Sequence, residues 1–299
     1  MFTVDANLDA EAKWGGAPLP AAVATRISYY AALTAGLAPA NAQVRVYAPA
    51  DVDVTRIDLP VTMRSGKLGR AADLVWCDPA QRAANDRRLA MRLAAEHGIG
   101  VPGAHAITSV DELTMDGPWV AKGLWTSAGR DRCHGTGPVA SDQRVRIARL
   151  IERFGAVVIE PWLPRSLDVG VCAWISDDDV RVDPPHGLVT DARGTFLGID
   201  LASPLFLGDE RERLTSFVAA AGASLRGLGY RGPIAVDAFV AGTERMLCVC
   251  EINARYSFGW VARGLADRFG TTQLGFSPAP PGARVLIAPA GDGITAWIA

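Results

Sequence analysis

Apolar positions at helical spacing predict several helices along the chain. The most regular pattern runs from 141 to 155, where the apolar residues fall on one helical face and a glycine ends the helix. Those residues are Ile147, Leu150, Ile151 and Phe154. From Asp78 to Gly98, an acidic N-cap, a proline at the first helical position and a closing glycine predict one or two further helices. Helical spacing also predicts helices over 20–37 and 209–229.

Apolar runs of strand length fill most of the remaining chain. They lie at 43–49, 72–77, 117–125, 156–163, 167–175, 179–183, 187–191, 195–200, 234–240 and 246–253. A glycine-containing loop at 127–137 follows the strand at 117–125. This order predicts a small α/β unit at the N-terminus, followed by an α+β region of mostly antiparallel sheets with flanking helices.

The last two runs are predicted to form a β-hairpin. Only the residues AGTER, at 241–245, separate them, and a short loop containing glycine is typical of a hairpin. If Val240 pairs with Met246, Asp237 lies opposite Val249. Residues two apart on a strand share a face, so polar side chains at 237, 251 and 253 project the same way.

Those three polar side chains are Asp237, Glu251 and Asn253. Two carboxylates this close repel one another, and their burial is costly without a cation between them. Ligands that offer only oxygen favour Mg²⁺ or Mn²⁺, so the hairpin predicts a metal and phosphate site. The alternative left open is that the two acids are solvated charges at the strand end, paired with Arg231, Arg245 or Arg255.

Composition narrows the class of partner and the cell compartment. The 299 residues are 49% hydrophobic and 21% charged, with a formal net charge of −2, so no general basic field favours nucleic acid or an anionic membrane. The five cysteines include no CxxC pair, and we expect neither a disulfide nor a zinc site. The N-terminal residues lack a basic and apolar leader, and no apolar window is long enough to span a membrane. A cytoplasmic location is therefore expected.

Several segments, in this order, resemble the ATP-grasp superfamily. They are VAKGLWTSAGRDR at 120–132, VVIEPWLPRSLDVGV at 157–171, GPIAVDAFV at 232–240 and CEINARYSFG at 250–259. NDRRLAMRLAAEHGIGVP, at 85–102, resembles the helix and strand that enter that fold. The resemblance covers roughly residues 80–260. It implies an ATP-grasp domain over 80–299 with two α+β lobes, about 100–165 and 166–299, after a small α/β domain over 1–79.

The resemblance also implies nucleotide-binding residues. Lys122 matches the lysine that contacts the α and β phosphates, and Ser127 and Gly129 fall in the loop that covers the triphosphate. Glu160 matches the start of the hinge between the lobes, where backbone amides and carbonyls from Glu160 to Leu163 contact the adenine edge. The hinge residues are Glu160, Pro161, Trp162 and Leu163. Asp168 falls one residue later than the family's ribose-binding acid, and a plain structural role is the alternative at each of these positions.

Metal ligands and a further catalytic residue follow from the same resemblance. Asp237, Glu251 and Asn253 match the ligands of one or two magnesium ions. Lys122 and Arg255 match catalytic cations, and Arg255 faces either the transferred phosphoryl group or the substrate carboxylate, with a salt bridge to Glu251 as the alternative. The residues loosely assigned to an acceptor pocket are His186, Arg193, Arg255, Tyr256 and Ser257.

Two departures from the family pattern leave its branch open. The first strand of the nucleotide lobe carries no lysine, so His105 or a neutral contact stands in its place. Ala254 follows the metal-ligand asparagine where many members carry proline.

The implied activity is ATP-dependent ligation of a small-molecule carboxylate to an amine. ATP phosphorylates the carboxylate, and the amine displaces phosphate from the acyl phosphate, releasing ADP and phosphate. The compact length resembles ligases that add an amino acid such as glutamate in cofactor or peptide-like metabolite synthesis. An ATP-grasp kinase or phosphotransferase, or a regulatory nucleotide-binding module without turnover, are the alternatives. The substrates and the oligomeric state stay open, with a homodimer as one candidate.

Overall fold

Contacts divide the chain into two compact units. A computed structural model describes residues 1–7, 18–69, 71–74, 79–125, 131–191, 194–202 and 206–299. The first unit comprises Met1–Asp78, His186–Pro204 and Arg255–Ala299, and the second comprises Pro79–Pro185 and Leu205–Ala254. Residues of the predicted second lobe are thus found in both units. The lobe boundaries drawn from the sequence stay predictions.

Strands and helices alternate along both units. The strands in the described residues are β1 (Phe2–Asp5), β2 (Val44–Ala48), β3 (Val61–Ser65), β4 (His105–Ile107), β5 (Pro118–Gly123), β6 (Arg132–Thr136), β7 (Val157–Pro161), β8 (Arg165–Ile175), β9 (Val180–Val182), β10 (His186–Thr190), β11 (Phe196–Asp200), β12 (Gly232–Ala241), β13 (Met246–Asn253), β14 (Gln273–Gly275), β15 (Arg284–Ile287) and β16 (Ala296–Ile298). The α-helices there are α1 (Ala21–Ala31), α2 (Pro79–Ala84), α3 (Arg87–Glu96), α4 (Ser141–Phe154), α5 (Glu210–Gly227) and α6 (Phe258–Phe269). Short 3₁₀ helices lie at Ala32–Leu37, Val54–Arg56 and Val110–Glu112. None of these described helices is long and apolar enough to span a bilayer.

The first unit contains two sheets. β1, β2 and β3 form a parallel sheet in that order, as expected of an α/β unit. β10, β11, β14, β16 and β15 follow one another in an antiparallel sheet. The buried face of α6, through Val261, Ala262 and Leu265, packs in the same apolar cluster as Ile199 and Leu274 of this sheet. β1, β3, β14, β15 and β16 were not predicted, because short strands carry too few residues for a clear alternation. The helix α6 was not predicted either, and β6 lies in the segment 127–137 that was predicted to be a loop.

The four-stranded sheet of the second unit has the order β4-β7-β5-β6, with every pair antiparallel. Ile147 and Leu150, on the predicted apolar face of α4, are buried in one cluster with Trp119 and Ile159. Gly155 ends the helix in the left-handed conformation, with a φ of 79° that glycine adopts without strain. The prediction of a helix over 141–155 is confirmed.

The hairpin sheet of the second unit consists of β13, β12 and β8 in that order, with β9 paired to β8. Two helices cover it through one apolar cluster that includes Leu89 and Leu93 of α3 and Phe217 of α5. The predicted helical stretch from Asp78 to Gly98 is two helices, because Asp86 caps α3 by accepting the Arg88 backbone N–H at 2.9 Å.

The predicted hairpin of β12 and β13 is confirmed, but its register is wrong by one residue. Val249 pairs with Ala238 rather than with Asp237. The register then shifts at a β-bulge that leaves Cys250 between two paired residues, and Asp237 pairs directly with Glu251. A bulge cannot be deduced from apolar alternation, because it breaks the two-residue period on which that prediction depends.

Gly135 is required by the packing of Trp119 in the four-stranded sheet. The two residues pair across β5 and β6, and the fully buried indole donates its Nε1–H to the Gly137 carbonyl at 2.9 Å. A Cβ at 135 would lie 2.1 Å from Trp119 Cζ2, whereas one at Gly117 would meet nothing within 4 Å. The indole therefore occupies the space that a side chain would need.

Gly135→Ala should lower the free energy of unfolding by about 2 kcal/mol, because the indole must shift out of a filled core. Gly117→Ala, in the same lobe, is the matched control and should change it by less than about 0.5 kcal/mol. Urea titration followed by tryptophan fluorescence measures both changes. Equal stability of the two variants would show that the indole has room to move.

Candidate nucleotide and metal site

Two carboxylates lie side by side on the hairpin sheet. The bulge brings Asp237 of β12 opposite Glu251 of β13. The Asn253 side chain, only 5% exposed, donates from Nδ2 to Asp237 Oδ2 at 3.0 Å and to Glu251 Oε1 at 3.1 Å. The three side chains converge on one face, as the sequence predicted, but through a different register. One amide group holds both anions in place.

Arg87 is the counter-charge of Glu251. It lies at the first position of α3, with its Nη1 2.5 Å from Glu251 Oε2 and its Nε–H donating to the Gly123 carbonyl at 2.9 Å. Burial alone would lower the pKa of Arg87, but Glu251 and Glu160 raise it above its ordinary value. The guanidinium therefore stays charged beside the acids.

Sequence reasoning missed Arg87. The sequence suggested Arg231 and Arg245 among the possible partners of the two acids. In the structure Arg231 pairs with Asp177 at 2.8 Å, and Arg245 pairs with Glu210 at 2.7 Å. The available signal was the position of Arg87 beside a helix N-cap within the segment that resembles the entry to the ATP-grasp fold.

Lys122 and Glu160 form a second ion pair, across β5 and β7 of the four-stranded sheet. Lys122 pairs in register with Val158, two residues from Glu160, so the two side chains are diagonal neighbours on one face. Their side chains are 12% and 7% exposed, and the ammonium contacts Glu160 Oε2 directly. The residue expected to contact phosphate thus lies against the residue expected at the adenine hinge.

The hinge follows β7 directly. The Trp162 backbone N–H donates to the Pro118 carbonyl at 2.8 Å, and Pro161 has no N–H. Of the predicted hinge residues after Glu160, Leu163 is therefore the one whose backbone N–H is suited to a base. Asp168, expected at the ribose, accepts a hydrogen bond from Arg165 Nη1 at 2.8 Å.

Cys250 lies at the bulge, among the charges of both sheets. Its thiol donates to the Asp237 carbonyl at 3.2 Å. Burial raises the pKa of Cys250 to about 12, and although Lys122 and Arg165 act to lower it, Glu251 and Asp237 raise it further. The thiol is therefore protonated at neutral pH. The same influences place Lys122, Arg165 and the two paired acids each within electrostatic range of the Cys250 thiol.

A divalent ion fits the donor set of the hairpin sheet. Asp237 and Glu251 supply carboxylate oxygens, and the Asn253 amide supplies one more oxygen once its N–H group is released from them. The described residues contain no group of three or more His, Cys, Asp or Glu side chains that could hold a metal. An ion here would therefore take few protein ligands and complete its shell with phosphate oxygens and water, as Mg²⁺ does.

Comparison with known proteins identifies the fold. No family model matches the sequence, and no curated protein is significantly similar to it. Solved structures do match. The Staphylococcus aureus N5-carboxyaminoimidazole synthetase is 11% identical, with a TM-score of 0.61 over 99% of this chain and 92% of that chain. The N5-carboxyaminoimidazole ribonucleotide synthetase from Thermus thermophilus is 14% identical, with a TM-score of 0.60 over 100% of this chain and 93% of that chain.

A third match is the biotin carboxylase domain of the Hydrogenobacter thermophilus 2-oxoglutarate carboxylase, solved with MgADP, ADP and bicarbonate. It is 12% identical, with a TM-score of 0.58 over 99% of this chain and 85% of that chain. These neighbours are ATP-grasp enzymes. The chain has the ATP-grasp fold. The fold class predicted from sequence, α+β with the ATP-grasp topology, is confirmed.

Not every residue that the sequence assigned to the ATP-grasp site can be placed. Ser127, Gly129 and Arg193 lie outside the described residues. Arg255 belongs to the first unit, with Tyr256 and Ser257, and the Tyr256 ring lies 5.8 Å from that of Trp260. Their predicted roles stay predictions.

His186, also of the first unit, is 2% exposed. Burial lowers its pKa to about 3, with a smaller contribution from Arg263. Its imidazole is therefore neutral at neutral pH. His105, considered as a substitute for the missing lysine, begins β4, and its Nδ1 lies 2.9 Å from the Gly103 carbonyl oxygen.

Arg87→Met should lower the free energy of unfolding by about 3 kcal/mol, because it leaves a partly buried Glu251 without its cation beside Asp237. Added Mg²⁺ should restore part of the loss, because it replaces the missing positive charge. Arg88→Met is the matched control: Arg88 is half-exposed and pairs with Asp86 at the surface, so its loss should cost at most about 1 kcal/mol. Urea titrations with and without Mg²⁺ measure both effects, and equal losses in the two variants would contradict the assignment.

The Cys250 thiol should resist alkylation at pH 8 in the folded protein. With a pKa of about 12, its thiolate fraction is roughly a thousandfold lower than that of a free cysteine, and the thiolate is the reactive form. Its contribution to stability should be complete below the ordinary thiol pKa and fall as the pH rises toward 12. Iodoacetamide labelling read by peptide mass spectrometry, with the urea-unfolded chain as the control, tests this. Equal labelling rates in the folded and unfolded chain would show an activated thiol.

Proposed function

We propose that the chain is an ATP-dependent carboxylate-amine ligase that forms an amide through an acyl phosphate and releases ADP and phosphate. The observation that carries this is the pair Asp237 and Glu251, bridged by Asn253, with the neighbouring Cys250 thiol lying within electrostatic range of Lys122. Paired acids suit a divalent ion that holds a triphosphate, and a lysine suits its phosphate oxygens. The proposal also draws on the fold, because the matched structures are synthetases and a carboxylase domain solved with MgADP and bicarbonate.

Each side chain has a distinct task in this proposal. Asp237, Glu251 and Asn253 would hold Mg²⁺ or Mn²⁺, which supplies charge neutralisation for the phosphates. Lys122 would contact the α and β phosphates, since a compact ammonium suits phosphate oxygens. Glu160 holds that ammonium in position before the nucleotide binds. Arg255 is the proposed contact of the transferred phosphoryl group or the substrate carboxylate.

The reaction balances without a nucleophilic side chain. A carboxylate oxygen of the substrate attacks the γ-phosphorus, the bond from that phosphorus to the ADP oxygen breaks, and ADP leaves. The amine nitrogen then attacks the acyl carbon and gives up a proton, and phosphate leaves with one original carboxylate oxygen. Water must be kept from the mixed anhydride during this exchange. The addition of an amino acid such as glutamate, in cofactor or peptide-like metabolite synthesis, is the finer form of the proposal.

Isotope transfer tests the proposal. With ¹⁸O in the substrate carboxylate, one labelled oxygen should appear in the released phosphate, whereas ¹⁸O from solvent water should not. A screen of amino acids and carboxylic acids for ADP release identifies the substrates, and mass spectrometry of the products and phosphate reads the label. A stable phosphorylated product would indicate a kinase, and ADP binding without turnover for any substrate pair would favour a regulatory module.

Glu251→Gln should lower the rate of ADP release roughly 10- to 150-fold, because it removes a metal-binding charge that holds the phosphates, at a cost on the order of 1.5–3 kcal/mol per charged contact. Glu244→Gln is the matched control, since Glu244 is exposed in the turn of the same hairpin. It should leave ADP release unchanged. Retention of full activity by Glu251→Gln would remove the metal assignment.

A further inference from the structure

Arg165, at the start of β8, contacts the rings of two aromatic side chains. Its guanidinium carbon is 4.1 Å from the centroid of the Phe239 ring, on β12, and 5.1 Å from that of Trp162, at the hinge. A guanidinium over two aromatic rings is held by cation–π attraction to each of them. The contacts therefore join the hinge after the four-stranded sheet to the hairpin sheet.

The charge of Arg165 is directed at Asp168. Its Nη1 donates to Asp168 Oδ1 at 2.8 Å, and the two side chains are only 21% and 11% exposed. Burial would lower the pKa of Arg165, but Cys250, Asp168 and Glu160 raise it, so the guanidinium stays charged. Asp168 is the acid that the sequence resemblance places at the ribose, and its carboxylate is oriented by this bond.

The surroundings of Arg165 have the character of a base-binding wall. The Trp162 and His134 rings meet edge to face, with their centroids 4.6 Å apart. Leu163 packs in one apolar cluster with Phe239 and Cys250. An apolar and aromatic surface beside a hinge N–H is typical of the sites where proteins bind a nucleotide base.

Stability alone gives little reason for this arrangement. A buried ion pair gains little net stability over an apolar pair of similar size, because both ions lose their hydration. A guanidinium that is fixed by two rings and one carboxylate is, however, suited to holding neighbouring groups in a precise orientation.

We propose that Arg165 is a positioning residue for the nucleoside half of the nucleotide. Its charge holds the Asp168 carboxylate toward the ribose hydroxyls, and its contacts with the Trp162 ring and the buried Phe239 ring hold Trp162 in place beside the base. This rests on the proposed function, since it requires that the site bind a nucleotide. Binding of the phosphate half depends on Lys122 and the paired acids instead. Loss of Arg165 should therefore weaken binding of the nucleoside half and not of the phosphate half.

Calorimetric titration with ADP, 2′-deoxy-ADP and inorganic tripolyphosphate, all with Mg²⁺, separates the two halves. The wild-type chain should bind ADP about tenfold more tightly than 2′-deoxy-ADP, because a hydroxyl bound to a carboxylate is a charged hydrogen bond. Arg165→Met should weaken ADP about tenfold, remove the preference over 2′-deoxy-ADP and leave tripolyphosphate unchanged. Arg165→Lys should restore the preference for ADP over 2′-deoxy-ADP, because the lysine keeps a positive charge beside Asp168. It should not restore the full affinity for ADP, because lysine lacks the planar guanidinium that contacts the rings.

Two further variants give the test its controls. Asp168→Asn alone should remove the preference for ADP over 2′-deoxy-ADP, and adding Arg165→Met should not reduce that preference further, because the two residues act as one unit. Arg231 pairs with Asp177 at 2.8 Å, the same distance as Arg165 and Asp168, but it is exposed. The Arg231→Met variant should therefore bind all three ligands as the wild type does.

The outcomes distinguish the inference from the proposed function. A wild-type chain that binds none of the three ligands contradicts the proposed function and removes the basis of this inference. If the wild type binds ADP and Arg165→Met binds ADP and 2′-deoxy-ADP with unchanged constants, the inference is wrong while the proposed function stands. An equal loss for ADP and tripolyphosphate in Arg165→Met would show a general disturbance of the site and also overturn it.

Discussion

The repulsion between Asp237 and Glu251 is the constraint on which the site depends. The β-bulge at Cys250 brings the two carboxylates directly opposite each other, in surroundings where like charges are expensive. The structure compensates twice, through the Asn253 amide that donates to both acids and through Arg87 on Glu251. The hairpin itself supplies the Asn253 amide, but Arg87 is distant along the chain, so full compensation of the acids requires that α3 pack against the hairpin.

The same principle governs the other ion pairs of the candidate site. Glu160 lies against Lys122, and Asp168 lies against Arg165. Buried carboxylates that keep a cation within hydrogen-bond distance stay ionised at modest cost. A ligand that enters such a site exchanges partners with groups that are already charged and oriented, so little reorganisation is needed when phosphate replaces a carboxylate as the partner of a cation.

The sequence predicted what local periodicity controls. The hairpin, the helix over 141–155 and the common face of the three polar residues follow from alternation, helical spacing and a short loop. The bulge at Cys250 was missed because it interrupts the alternation, and Arg87 was missed because its partner Glu251 is distant along the chain. The division of the first unit among three separate segments was missed for the same reason, since contacts between distant segments leave no periodic signal.

The formal charges of the candidate site indicate how metal and nucleotide binding depend on each other. The carboxylates outnumber the cations by one, so the cluster alone is net negative and does not favour a triphosphate. The groups are Asp168, Glu160, Asp237 and Glu251 against Lys122, Arg87 and Arg165. A divalent cation reverses the sign of the sum, because it adds two positive charges at the acids that are close together. Metal and triphosphate are therefore expected to bind cooperatively, because each lowers the electrostatic cost of binding the other. The coupling comes from the two acids, which repel each other in the free protein.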